Sequence, residues 1–131
     1  MSPETHRWFR KSLIQRRKEL ADNSQHLVRA LQTSELQHAI GSGRDAADFA
    51  VANHDEHLSG KRITYQTRII REIDDALKRI DEGTFGCCED CGDSILHDRL
   101  LAVPFAKFCT DCQEIQERVR PLHRDHPGMS I

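Results

Sequence analysis

Leu13, Leu20 and Leu27 recur at intervals of seven, Leu31 follows four later, and Arg, Lys, Glu and Gln fill most of the positions between them. That spacing draws one apolar stripe along an amphipathic helix. A second stripe steps by seven through Ile63, Ile70 and Leu77, broadened by Ile69, Ile73, Ala76 and Ile80. The two are separated by Gly41-Ser42-Gly43. Ser2 is placed to cap the first helix and Pro3 to open it, and Gly41 supplies the left-handed turn after Ile40. The second helix is predicted from Asp45 to Glu82, closed by Gly83. Two amphipathic helices joined by a short glycine-containing connection predict an antiparallel hairpin. At 1.5 Å per residue, about 36 helical residues give an arm on the order of 50 Å long.

The stripes lose coherence toward the break. Ser34, His38, Asp55 and Arg62 fall at would-be seam positions, and Gly60 inside the second helix costs about 1 kcal/mol relative to Ala. The distal half is therefore expected to be looser than the base. Composition points the same way: in 131 residues, 5% aromatic and 31% charged side chains favour an elongated helical body with a small stapled head over a compact sphere. A formal net charge of -2 lacks the footprint of a protein that neutralises many phosphates, so direct DNA binding is not expected. No run approaches the roughly 20 apolar residues of a membrane span, and the first twenty residues lack the core of a secretory signal. A reducing cytoplasm is expected, where thiolates ligate metal instead of pairing.

The strongest chemical signal is the doubled C-x-x-C pattern of Cys88, Cys91, Cys109 and Cys112. Each pair can aim two thiolates from one short turn, and the intervening stretch is long enough to complete a tetrahedron around a single structural zinc with no open position. Cys87 stands beside the first ligand without an assigned role, and the eight histidines are scattered without a paired arrangement. The expected fold is mainly α: a long antiparallel coiled-coil arm over 1–82 with its tip at about 41–50, a four-cysteine zinc-finger head with a terminal helix from near Thr110 over 83–120, and a flexible tail over 121–131. At the tip Asp45 is a natural N-cap, and Asp48 three residues later forms a capping-box-like pair favoured by the helix dipole. Carboxylates at the end of a narrow rod can also enter a cleft closed to a compact domain, and Asp45 can cap while Asp48 faces outward.

Between the cysteine pairs stand Ile95, Arg99 and Pro104, and the tip reads Asp45-x-x-Asp48-x-Ala50. In these offsets the chain resembles the DksA/TraR family of bacterial zinc-finger transcription regulators. The resemblance implies a non-enzymatic protein that binds RNA polymerase without contacting DNA. The head would grip the rim of the secondary channel, and Asp45, Asp48 and Ala50 would be carried toward the catalytic centre. It also implies departures. The family archetype has an additional N-terminal segment on its head, so a smaller head is expected here. Where some members place basic residues for the alarmone ppGpp, this chain has Glu72, Val103 and Gln113, which argues against alarmone synergy. Two other readings stand beside this one. A Gre-like accessory factor would use the tip carboxylates to help hold a catalytic magnesium ion, and a transcript-cleavage assay would reveal it. A nucleic-acid-binding zinc ribbon would show itself in a salt-dependent DNA titration, although the chain lacks an aromatic and basic stripe.

Overall fold

The structure, a computed structural model, describes the backbone of residues 1–40 and 46–119 and the side chains of residues 1–34 and 54–119. Two helices dominate it, α1 over Pro3–Ile40 and α2 over Ala46–Glu82. The predicted boundaries hold where local chemistry sets them. Ser2 Oγ accepts from the Thr5 N–H at 3.2 Å, satisfying one of the amides a helix start leaves unpaired. At the other boundary Gly83 takes φ +80°, and the Thr84 and Phe85 N–H groups turn back onto the Arg79 carbonyl at 2.9 and 3.2 Å.

The helices run antiparallel, as a ladder of side-chain pairs makes plain. Arg10 pairs with Asp81 and Arg17 with Asp74. Ser24 then donates to Gln66 at 2.7 Å and Ser34 to Glu56 at 2.5 Å. As the position on α1 rises, its partner on α2 falls in step.

The buried line on α2 differs from the expected heptad. Ile63, Ile70 and Leu77 are only half-buried, whereas Gln66, Ile69, Ile73 and Ala76 are buried. On α1, Phe9 joins Leu13 at full burial. The apolar stripe of α2 is wider than the seam, and the head closes over the flank carrying Ile69, Ile73 and Ala76, which sets the line actually buried. Toward the break Asp55 and Arg62 are exposed, and the half-buried polar pair is Ser34 with Glu56. His38 lies outside the described side chains.

Beyond Gly83 the described residues form two further helices, the short α3 over His97–Ala102 and α4 over Thr110–Val119. The start of α4 agrees with the sequence expectation; α3 was not expected. No strand occurs among the described residues, only an isolated antiparallel bridge between Cys87 and Ser94. Phe9, Leu13, Ile69, Ile73 and Ala76 of the arm share one core with Phe85, Ile95, Leu100 and Ala106 of the head. The Phe9 and Phe85 rings lie 5.2 Å apart at its centre.

No helix among the described residues is long and apolar enough to cross a membrane.

Candidate metal centre at the base of the arm

Two backbone turns deliver the four thiols. In the first, the Gly92 N–H returns to the Cys88 carbonyl at 3.0 Å and the Cys88 N–H to the Asp93 carbonyl at 2.7 Å. Gly92 takes φ +79°, with open space where a Cβ would stand, so its backbone conformation is what calls for glycine here. In the second, Cys109 precedes α4 and Cys112 sits in its first turn, with the Gln113 N–H bonded to the Cys109 carbonyl at 2.9 Å. A Glu89 N–H to Lys107 carbonyl bond of 2.9 Å ties one turn to the other.

The Sγ atoms of Cys88, Cys91, Cys109 and Cys112 all lie within 4.8 Å of one another, and those of Cys91 and Cys109 are 3.8 Å apart. A tetrahedron with metal–sulfur bonds of about 2.3 Å has edges of about 3.8 Å, so the cluster fits one zinc ion. Its electrostatics point to a cation as well. Burial opposes charge on the Cys88 thiol, yet the N–H groups of Cys91, Cys109 and Asp90 outweigh it and bring its pKa down to about 6. The Cys112 thiol is pushed well up, chiefly by its hydrogen bond with Cys109 and then by burial. Four thiolates cannot coexist here unaided; a divalent cation lets all four ionise. Cys87 is exposed and stands outside the cluster.

The other residues of the sequence motif support these turns. Arg99 Nε donates to the Phe108 carbonyl at 3.0 Å, fixing the peptide just before Cys109. Ile95 and Pro104 are buried beneath. Sequence reasoning did not single out Arg79, which is only 7% exposed. From the last turns of α2 its guanidinium reaches Glu89 in the first cysteine turn at 3.5 Å and the Phe105 carbonyl at 3.4 Å.

Glu72, Val103 and Gln113, which the resemblance sets where some members place basic residues for the alarmone, line one cavity of about 310 Å³ between α2 and the head, together with Arg99 and Lys107. The tip is different. Asp45 lies outside the described residues, and Asp48 and Ala50 fall within α2 but outside the described side chains.

Comparison with known proteins bears on this arrangement. Residues 83–118 match the family described as prokaryotic dksA/traR C4-type zinc finger. The RNA polymerase-binding transcription factor DksA of Caulobacter vibrioides is 34% identical over 118 residues, covering 90% of this chain and 80% of that protein. The Escherichia coli protein of the same name is 29% identical over 109 residues, covering 83% and 69%. Among solved structures, transcription factor DksA2 from Pseudomonas aeruginosa superposes with a TM-score of 0.74 at 26% identity, covering 92% of this chain and 89% of that one.

Proposed function

Because the chain belongs to the DksA/TraR family of zinc-finger transcription regulators, we propose that it binds RNA polymerase and regulates the initiation of transcription. The observation that carries this reading is the placement of a four-thiol cluster at the foot of a two-helix arm, the two welded by one core. Zinc bound by Cys88, Cys91, Cys109 and Cys112 makes the head a rigid foot, and the arm, on the order of 50 Å long at 1.5 Å per residue, projects from it. In this reading the arm enters the secondary channel and presents Asp45, Asp48 and Ala50 near the catalytic centre. The protein acts as a regulator in the cytoplasm, without chemistry of its own and without contacting DNA. Response to ppGpp is weak. At Glu72, Val103 and Gln113 the cavity offers a carboxylate, an apolar side chain and an amide. Its two cations, Arg99 and Lys107, are matched by the carboxylates of Glu72 and Glu117, and Arg99 is already bonded to the Phe108 carbonyl, so it has no surplus of clustered positive charge for a highly anionic nucleotide.

The test is transcription by purified polymerase from a ribosomal-type promoter, with binding to core enzyme measured in parallel. Asp48→Asn should retain polymerase binding and lose most of the regulatory effect, because a helix cap is worth only about 1 kcal/mol and its loss cannot unfold an arm anchored at its base. Regulation unchanged in Asp48→Asn would leave Asp48 as a cap and the arm as a steric plug. Adding ppGpp should change the promoter effect by less than about threefold, a coupling below roughly 0.7 kcal/mol.

A further inference from the structure

Residues 7–18 of α1 hold six cations, Arg7, Arg10, Lys11, Arg16, Arg17 and Lys18, and no carboxylate, in a chain whose net charge is -2. The fold uses three of them. Arg10 and Arg17 pair with Asp81 and Asp74 across the seam, and the Arg16 guanidinium lies 5.3 Å from the centre of the Phe105 ring. Arg7, Lys11 and Lys18, at spacings of four and seven, share the opposite face of the helix, where all three are exposed. None of them makes an ion pair among the described residues. Beside them stand two exposed apolar side chains, Ile14 and the chain's single tryptophan, Trp8, each 52% exposed. Trp8 is held edge-on against Phe9 at 4.9 Å, so its ring is offered from a buried anchor.

The outer face of α2 is built differently. There Arg71, Asp75, Lys78 and Glu82 alternate in sign, with Lys78 3.9 Å from Glu82. A solvated arm needs no such asymmetry between its two helices.

We propose that the outward face of α1 at the arm base, built of Arg7, Lys11 and Lys18 around Trp8 and Ile14, is a docking surface for an acidic protein face on RNA polymerase. The inference rests on the polymerase-binding reading and names the side of the arm that meets the enzyme. Charge complementarity selects carboxylates as the counterpart, steering approach and fixing which way the arm faces. The half-exposed Trp8 and Ile14 favour a protein over a phosphate backbone, since exposed aromatic and aliphatic side chains gain by being covered with a protein surface, and a phosphate backbone offers no such cover. Three cations on about 16 Å of helix give nucleic acid only a weak, salt-sensitive grip.

The test compares binding of the full chain to core polymerase for wild type, the triple variant Arg7→Glu/Lys11→Glu/Lys18→Glu, and a control triple on the other helix, Lys61→Glu/Arg71→Glu/Lys78→Glu. At about 0.1 M salt the α1 triple should bind at least roughly tenfold more weakly, with the difference shrinking as salt is raised. The control should stay within about twofold of wild type, and Trp8→Ala should lose several-fold. If thermal melting shows the α1 triple to be unfolded, Lys11→Glu alone takes its place, with a loss of about threefold or more expected. An α1 variant that binds like wild type overturns the proposal, as does an equal loss in the control, which would indicate bulk charge. Lost affinity for a single-stranded oligonucleotide with polymerase affinity unchanged overturns it in favour of nucleic acid. A wild-type chain that does not bind polymerase removes the polymerase-binding reading itself, and this face with it.

Discussion

Arg79 is a buried cation, yet its two polar contacts are long, 3.5 Å to Glu89 and 3.4 Å to the Phe105 carbonyl. Bonds of that length recover little of what desolvating a guanidinium costs. The side chain contributes chiefly by filling space between α2 and the metal-site turns. Arg79→Met, which keeps most of that volume, should therefore change stability by less than about 1.5 kcal/mol. Arg79→Ala should cost about 2–3 kcal/mol through the void it leaves. Thermal melts of the zinc-loaded protein check both, and equal losses would show that the ionic contacts matter after all. Arg79 also marks where the sequence fell silent. The four cysteines announce themselves by spacing, because a turn of fixed length is a local property. Nothing near Arg79 in the chain says that Glu89 and Phe105 will converge on it. Phe9 was silent for the same reason, since its burial depends on Phe85 arriving from the far end of α2.

At the scale of elements, helix ends were legible and helix faces only partly so. Ser2 with Pro3 and the positive-φ Gly83 set boundaries through their own backbones. The stripe at Ile63, Ile70 and Leu77 gave the right helix with the wrong buried line, because periodicity reports an apolar sector and the partner decides which part of it is covered. Gln66 could not be placed in the seam until Ser24 and Asn23 were opposite it. The six residues of α3 are too few to draw a period at all. One consequence for α2 is open to direct test. Gly60 lies mid-helix, and a Cβ added there meets nothing within 4 Å. Its φ is not in the left-handed region. Gly60→Ala should therefore stabilise the arm by about 0.5–1 kcal/mol through helix propensity alone, seen as a higher melting temperature. If polymerase regulation falls while stability rises, the glycine is there to let the arm bend.

For the molecule as a whole, the shared core makes the metal a tenant of the arm as well as of the head. Cys88 and Cys112 belong to the same buried cluster as Phe9, Leu13 and Ile73. Loss of zinc should release the head's turns, since a small core rarely holds such a unit without a staple, and the disturbance should reach the foot of α1. Trp8, packed on Phe9 at 4.9 Å, is placed to report it. Chelation should change the Trp8 fluorescence while circular dichroism retains most of the helical signal of the distal arm. A tryptophan signal indifferent to chelation would mean that the arm base stands without the head.

The rungs of the arm have a bearing on its reach. On α1, Arg10, Arg17 and Ser24 are seven residues apart, and their partners Asp81, Asp74 and Gln66 step back along α2 by seven and then eight. Seven residues of α-helix span about 10.5 Å. Cutting one such repeat from each strand of the hairpin would bring the same faces back into register and leave the foot untouched, but the far end would retreat by that distance. Removing seven residues from one strand alone would shift every rung beyond the cut against its partner. The arm is thus a ruler with graduations, and its length can be changed only in matched, whole divisions.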